Sequence, residues 1–398
     1  MRMAYKCRAY PSPEQAAMLN RTFGCVRVVW NQTLAWRHHR WRQDRVGTNV
    51  PQANAFLTRL KQTEEFAWLS EVSSVPLQQA LRTQQRAFAN FFAGRARYPR
   101  YKSRRGRQSM EYTRSGFRWR EGRLTLAKTN AHLHFVWSWP DVDPATLVPT
   151  TVTVSRDPDG RWYVSLAVEA ADPDQAAATG AMVGVDLGVA DFAVTSDGER
   201  IANPRHLERK AANLARYQRR MARKQPGSSN RRKARTKVAR AHGKVRDARR
   251  DFLHKTSTRL VREHDVIVVE DLAVANLVGN RRISRAISDC GWGEFRRQLE
   301  YKCARAGRTL VVVDRWYPSS KTCSACGHLL VRLSLRTRTW RCPSCGTRHD
   351  RDVNAAKNIL AAGRAVTACG GEVGRPGNRM HSPVKQEPQS AKAGIPRP

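Results

Sequence analysis

The chain predicts two halves of different class. The N-terminal half reads as α+β, a β unit interrupted after its first strand by a helical bundle; the C-terminal half reads as an α/β open sheet. Three observations carry this. Apolar residues recur at helical spacing after residue 13 and again over 75–93, alternating runs with turn signals fill 149–169, and short apolar runs at 181–189, 265–272 and 309–314 alternate with helical segments. With 398 residues, the chain has room for about two to four domains with real cores.

Residues 3–10 (MAYKCRAY) form a short strand that Pro11 ends. A helix follows, with Ser12 as N-cap, Pro13 in the first helical position and Gln15 completing a capping box. Leu19, Phe23, Val26, Trp30 and Leu34 give it one apolar face. Trp30, Trp36 and Trp41 have the chemistry to stack bases, but core packing is the stronger reading. Further helices are predicted over 51–63 and 75–93, the latter burying Leu77, Leu81, Phe88, Phe91 and Phe92, so that 11–93 makes a helical bundle. Residues 95–107 are basic with interleaved tyrosines and no apolar period. A solvated loop has this composition, but so does a segment that touches backbone phosphates and occasionally stacks a base, which is favoured on so basic a chain. Arg95, Arg97, Arg100, Lys102, Arg104 and Arg105 are its candidate contacts. Residues 117–137 and 149–169 read as β, with the clearest hairpin between 151–155 and 162–168, turned by Asp157-Pro158-Asp159-Gly160. The β unit therefore takes 1–10 and 94–170, and 170–180 is a linker.

The second half opens with a buried strand over 181–189, then 191–196 with a hairpin turn at Asp197-Gly198. Between 201 and 250 there are 18 Lys/Arg and 2 acidic residues. Charge alone could leave this segment disordered, yet Leu207, Leu214, Tyr217 and Met221 keep a helical spacing. It reads as a helical hairpin broken at 225–230 that gains its full order on nucleic acid, with Arg219, Arg220, Arg231, Arg232 and Lys233 as candidate contacts. A strand over 265–272, a helix over 283–305, a strand over 309–314, a cysteine hairpin over 321–346 and a helix from Asp352 to Ala362 complete the fold. Residues 367–398, rich in Gly, Pro, Ser and Lys, predict a disordered tail.

Lys and Arg number 72 against 33 Asp and Glu, a formal charge of +39. A charge that large repels itself and favours a polyanion, nucleic acid before an anionic membrane. No apolar run approaches the ~20 residues that span a bilayer, and the N-terminus lacks the apolar core of a signal peptide. The nine cysteines do not suggest a secreted disulfide framework, and a reducing cytosol is expected.

Two CxxC pairs, Cys323/Cys326 and Cys342/Cys345, stand 15 residues apart, a spacing that predicts a structural zinc site. Four sulfur ligands close a tetrahedral shell and leave no open position for substrate, so the metal holds structure. The chemistry is expected at carboxylates instead. Asp186 and Glu270 lie at the ends of apolar strands, where open α/β sheets place their ligand sites. A further acid opens the helix after the cysteine hairpin, and spacing leaves Asp350 and Asp352 undecided. A single acid after a strand is often only a cap or turn residue. Three converging carboxylates raise one another's pKa, and a hard cation such as magnesium relieves that repulsion. Asp271 should face away from Glu270 across its strand.

GVDLGVADFAVTSDG, VIVVEDL, RAISDCGWGEFRRQLEYK, the CSACG…CPSCG hairpin, HDRDVNAAKNIL and YPRYKSRR stand in an order that resembles the TnpB (OrfB) proteins of bacterial insertion sequences, over nearly all of 1–365. The resemblance implies a RuvC-type, ribonuclease-H-like nuclease domain over 181–320 and 347–366 with an inserted zinc ribbon at 321–346. It also implies a β-barrel-like wedge domain over 1–10 and 94–170 and a recognition bundle, with a helix-turn-helix-like start, over 11–93. It assigns Asp186, Glu270 and Asp352 as the catalytic, magnesium-binding acids, choosing Asp352 over Asp350, and Cys323, Cys326, Cys342 and Cys345 as the zinc ligands. The function implied is RNA-guided DNA cleavage by two-metal hydrolysis. Its cofactors are structural Zn2+ and catalytic Mg2+, with Mn2+ able to substitute, and its partners are a guide RNA from the transposon end and a double-stranded DNA target. A monomeric ribonucleoprotein in the bacterial cytoplasm, at the nucleoid, is expected. The alternatives are an RNA-independent transposase or resolvase of the same fold and a nucleic-acid-binding regulator of transposition without catalysis.

Overall fold

The computed structural model describes residues 2–169, 175–334 and 336–368. The expected tail from residue 369 and part of the expected linker, 170–174, lie outside the described residues. The chain divides into two compact units, Met1–Asp172 with Lys210–Lys244, and Pro173–Arg209 with Val245–Pro398.

In the first unit, β1 (Arg2–Ala9) leads into α1 (Pro13–Asp44), α2 (Val50–Gln62) and α3 (Ser74–Phe92). The start of α1 follows the sequence closely. The Ser12 side chain accepts from the Gln15 amide, the Gln15 side chain accepts from the Ser12 amide, and Pro13 opens the first turn. Asn49 and Gln52 repeat the arrangement at α2. After the basic segment come β2 (Gln108–Thr113), β3 (Phe117–Arg120), β4 (Arg123–Leu126), β5 (Phe135–Val136), β6 (Pro149–Arg156) and β7 (Trp162–Glu169). The main sheet has the order β2-β6-β7-β1-β5, and β1 lies antiparallel to both β7 and β5. The three helices are therefore inserted between β1 and the rest of its sheet. Among the described residues the edge strands, β2 and β5, do not pair with each other, so the sheet is open there, and β3–β4 form a separate ribbon. Strand β2 has no clear signal in the sequence because only Met110 and Tyr112 turn inward; pairing with β6 decides it. Leu19, Phe23, Leu57, Leu77 and Leu81 from the helices pack against Val152, Val164 and Leu166 from the sheet in one core.

In the second unit, β8 (Met182–Leu187), β9 (Asp191–Thr195) and β10 (Arg200–Ala202) precede α4 (His206–Ala222) and α5 (Ser229–Glu263). Then come β11 (Val266–Glu270), α6 (Val274–Gly279), α7 (Ser284–Cys290), α8 (Trp292–Ala306) and β12 (Thr309–Val313). A short hairpin, β13 (Thr339–Arg341) and β14 (Arg348–Asp350), leads directly into α9 (Arg351–Ala368). The sheet order is β10-β9-β8-β11-β12; β11 lies parallel to both β8 and β12, and β9 antiparallel to β8. Two features depart from expectation. The single helix over 283–305 is two helices, because Gly291 adopts φ 72° and ends α7 in the left-handed region. The basic hairpin, expected with the nuclease domain, belongs from Lys210 to Lys244 to the first compact unit. Among the described residues no helix is long and apolar enough to cross a membrane.

Both faces of the second sheet are covered, which is why β11 is a continuous apolar run. Ile267 and Val269 face a core with Leu253, Leu260, Phe295 and Leu299, whereas Val268 packs with Val311, Val313 and Ile359 of α9. The contact with α9 is unusually close. A Cβ on Gly184 of β8 would lie 2.2 Å from the Ala356 carbonyl oxygen, and one on Gly363 of α9 would lie 2.5 Å from Val268. Because Gly184 meets backbone, no side chain can swing aside. Gly184→Ala should cost about 1–3 kcal/mol or more by overpacking; urea denaturation checks this, and an unchanged midpoint would contradict the close contact.

A candidate carboxylate site and a cysteine cluster

Parallel pairing sets the first two carboxylates side by side. The register couples Val185 with Val269, so the next residues along, Asp186 and Glu270, are neighbours on adjacent strands, which lie about 4.8 Å apart. Alternation then fixes the face. Gly184 and Val268 touch α9, so Asp186 and Glu270, two residues further on, point to that same side. There the first turn of α9 carries Asp352.

Electrostatics records the convergence. Burial first, then the negative charges of Glu270 and Asp352, push the Asp186 carboxyl up to about 7, against a smaller opposing effect of Arg351. Burial also raises Glu270, partly offset by a hydrogen bond that its Oε1 accepts from the Ser319 hydroxyl. Asp352 is held from the flanks by Arg338 at 3.6 Å and Arg200 at 3.9 Å. The two acids beside these are otherwise engaged. Asp350 accepts from the Asp352 and Val353 amides at 3.1 and 3.0 Å, capping α9, and pairs with Arg200 at 2.6 Å. Asp271 faces the other side; burial opposes its ionisation, but hydrogen bonds from Arg296 and Arg315 outweigh this and keep its carboxyl below the usual range.

The four predicted cysteines come together, with all ligand atoms within 4.8 Å of one another. Cys323 and Cys345 sulfurs stand 3.7 Å apart, as do those of Cys326 and Cys342. A tetrahedral shell with metal–sulfur bonds of about 2.3 Å has sulfur–sulfur edges of about 3.8 Å, so the set fits zinc. Cys323 and Cys342 are buried under Trp340, Leu330 and Leu333, while Cys326 and Cys345 are exposed. His349 of β14 places Nε2 3.0 Å from Cys323 Sγ and packs on Trp340.

Sequence reasoning missed the residues that join this hairpin to the carboxylates. Asn354 and Asn358, one helical turn apart, both direct their amides to the Ser319 and Thr322 carbonyls, and Asn354 accepts from the Ser324 amide at 2.9 Å. The signal was available: two asparagines at i and i+4, set among Ala355, Ala356 and Ile359, mark one polar line on a buried face. Ser319, which orients Glu270, had no such signal.

The predicted basic contacts divide. Arg104, Arg105, Arg231 and Arg232 line a cleft of about 1140 Å3 lying wholly within the first unit. Arg27, Arg156, Arg235 and Arg240 join them there without having been singled out from the sequence. The β6–β7 turn contributes Asp157 and Asp159, so arginine is in large excess. Burial and the charge of Arg104 lower the Arg27 pKa, a sign of crowded like charge. Arg231 also has a structural role, donating to the Met221, Ala222 and Lys224 carbonyls at the end of α4. Lys102 lies 4.1 Å over the Trp30 ring, and Asn31 holds its backbone through both amide groups, so the basic segment is pinned to α1 rather than free. Arg95, Arg97, Arg100, Arg219, Arg220 and Lys233 are exposed and outside the cleft.

A mixed α/β protein with carboxylates gathered at the end of a parallel strand pair, a four-cysteine cluster and an arginine cleft is the class these features define. Family models match in three places: "Probable transposase" of the OrfB_IS605 type over 165–281, a Cas12f1-like TNB domain over 292–359 and a helix-turn-helix domain over 1–45. A Streptomyces pristinaespiralis protein named "Putative RNA-guided DNA endonuclease" is 56% identical over 402 residues, covering 100% of this chain and 99% of the relative. An Escherichia coli K12 protein named "Putative RNA-guided DNA endonuclease InsQ" is 34% identical over 404 residues, covering 97% of each. Among solved structures, a Cas12f1–sgRNA–target DNA complex contains a chain of similar fold, with TM-score 0.56 and 15% identity over 90% of this chain and 98% of that one. The chain belongs to the TnpB (OrfB) family.

Cys342→Ser should strip the bound metal, from about one zinc per chain to none. Elemental analysis of the purified protein checks this, and full zinc content in the variant would contradict the ligand set.

Proposed function

We propose that the chain is a transposon-associated, RNA-guided DNA endonuclease whose catalytic magnesium is held by Asp186, Glu270 and Asp352. The observation that carries the proposal is the parallel register that makes Asp186 and Glu270 neighbours on the face covered by α9, in a chain belonging to this family. The second unit is read as a RuvC-type, ribonuclease-H-like domain with the cysteine hairpin as an inserted zinc ribbon. The β sheet of the first unit is read as the wedge, and α1–α3 as the recognition bundle. Bacterial cytoplasm, at the nucleoid, and a monomeric ribonucleoprotein complete the reading.

The carboxylates suit a hard cation because a cation would relieve both the burial and the mutual repulsion that raise Asp186. Magnesium bound there supplies Lewis-acid stabilisation of the phosphate and activation of the attacking water. The chain's own residues do the rest. Ser319 fixes the Glu270 carboxylate by donating to it, and Asp350 caps α9, which sets Asp352 over the sheet edge. Asp271, neutralised by Arg296 and Arg315, adds little to the local repulsion. The arginine cleft of the first unit suits RNA or heteroduplex backbone, which is recognised by shape and phosphate rather than by sequence.

Asp186→Ala should abolish DNA cleavage and leave RNA binding intact, tested with complex purified from cells that carry the flanking DNA. Equal cleavage by variant and parent would overturn the assignment, and cutting of branched DNA without RNA would favour a resolvase. Ser319→Ala, which frees Glu270, should raise the magnesium requirement or lower activity about 10- to 100-fold; an unchanged magnesium titration would remove Ser319 from the site.

A further inference from the structure

We infer that Trp316 is a stacking platform for an unpaired base of the DNA strand being cut, within a few nucleotides of the scissile phosphate. The inference rests on the nuclease reading above and adds a substrate contact to it.

Trp316 is 84% exposed, the most open aromatic ring among the described residues. A single exposed apolar side chain is ordinary on a protein surface, so exposure alone means little. Its position and its mounting are the argument. The loop that carries it begins and ends at Glu270. Val313, the last residue of β12, is the register partner of Glu270, and Ser319 returns to donate its hydroxyl to the same carboxylate. Trp316 is three residues from each. Since a chain spans at most about 3.6 Å per residue, its Cα lies within roughly 11 Å of both points. That is the length of about three nucleotides at 3.4 Å per step along one strand.

The loop is also fixed. Asp314 Oδ1 accepts from the Trp316 amide at 2.8 Å, and the Tyr317 amide donates to the Asp314 carbonyl at 3.1 Å. Arg315 is anchored on Asp271, beside Glu270. Tyr317, next in sequence, packs inward against the core formed by Val268, Val311, Val313 and Ile359. One aromatic ring of the pair anchors the loop, and the other is held out in solvent with its face free.

What such a ring takes at the edge of a phosphodiester site, on a chain of charge +39, is a nucleobase. Every base offers a π face, so stacking tolerates any sequence and suits an enzyme whose specificity lies elsewhere. A base inside a duplex has both faces covered. The cut strand is therefore single-stranded where Trp316 meets it, and stacking aligns its backbone with the carboxylates.

The test compares Trp316→Ala, Trp316→Phe and the parent, each assembled with its RNA, in single-turnover cleavage at saturating magnesium. Trp316→Ala should cut about five- to a hundred-fold more slowly, the range that loss of one base–aromatic stack gives, with RNA content unchanged. Trp316→Phe should restore most of the rate. A second readout places 2-aminopurine within three nucleotides of the cut in complexes carrying Asp186→Ala, which keeps the strand intact. Its fluorescence should be quenched on binding and brighter when Trp316→Ala is added. Parental rate in Trp316→Ala, equal impairment in the Phe and Ala variants, or fluorescence indifferent to residue 316 would each overturn the inference. The two failures are distinguishable: an active Asp186→Ala removes the nuclease reading itself, whereas an inactive Asp186→Ala beside a fully active Trp316→Ala removes only the stacking.

Discussion

The closeness of α9 to its sheet governs the geometry of the candidate site. At Gly184 the helix backbone sits where a side chain would otherwise be, with the Ala356 carbonyl oxygen 2.2 Å from the position of a Cβ, and about two turns further along Gly363 makes room for the Val268 side chain. Two glycines, one on the strand and one on the helix, let α9 approach the sheet this closely. The consequence is positional. Asp352 stands one turn before Ala356, so seating Ala356 over Gly184 brings Asp352 over the strand ends, where Asp186 and Glu270 emerge. A helix standing off by the usual thickness of side chains would carry Asp352 away from both.

Charge is arranged with comparable economy on a chain with a large positive excess. Each of two acidic motifs holds a pair of acids that the structure treats differently. In Glu270-Asp271 the strand pleat sends one carboxylate toward α9 and the other into the arms of Arg296 and Arg315. In Asp350-Arg351-Asp352 the first acid caps the helix and the second stands in its first turn. Only one member of each pair is left to add repulsion to the burial that pushes the Asp186 carboxyl up. Arg200 and Arg338 flank Asp352 at 3.9 and 3.6 Å, balancing part of the cluster's negative charge from its edge.

Much of this was legible in the sequence, for identifiable reasons. The capping box at Ser12, the Asp-Pro-Asp-Gly hairpin and the strands ending at Leu187, Glu270 and Val313 are local signals, and the local signal prevails in the structure. The four cysteines declare themselves by spacing. What was hidden depends on partners distant in sequence. Strand β2 exists because β6 pairs with it. The helix over 283–305 breaks at Gly291 in the left-handed region, where a Cβ would come within 3.1 Å of Arg249 and 3.2 Å of Leu253 of α5, which no periodicity within the segment reveals. The arginine cleft joins residues from α1, the 104–108 segment, the β6–β7 turn and the α4–α5 connection, and composition alone gives charge without its address. The choice between Asp350 and Asp352 was open by spacing, because the cap that occupies Asp350 depends on how β14 meets α9.

The cysteine cluster acquires a purpose from its neighbours. Strand β14 runs without a break into α9, so whatever fixes β14 fixes the end of the helix that carries Asp352. His349 lies between, with Nε2 at 3.0 Å from Cys323, and Asn354 and Asn358 grip the Ser319–Ser324 segment from the other side. That same segment supplies the hydroxyl bound to Glu270 and begins the first CxxC pair. These contacts close a ring: from Cys323 through His349 to the start of α9, through its asparagines to Ser319, and back along the chain to Cys323, where a metal would add the second CxxC pair. Without a metal, the first turn of α9, where Asp352 stands, would rest on the Asp350 cap, the Asn354 hydrogen bonds and the flanking arginines alone. The cluster is thus tied mechanically to the candidate carboxylate site without sharing a residue with it.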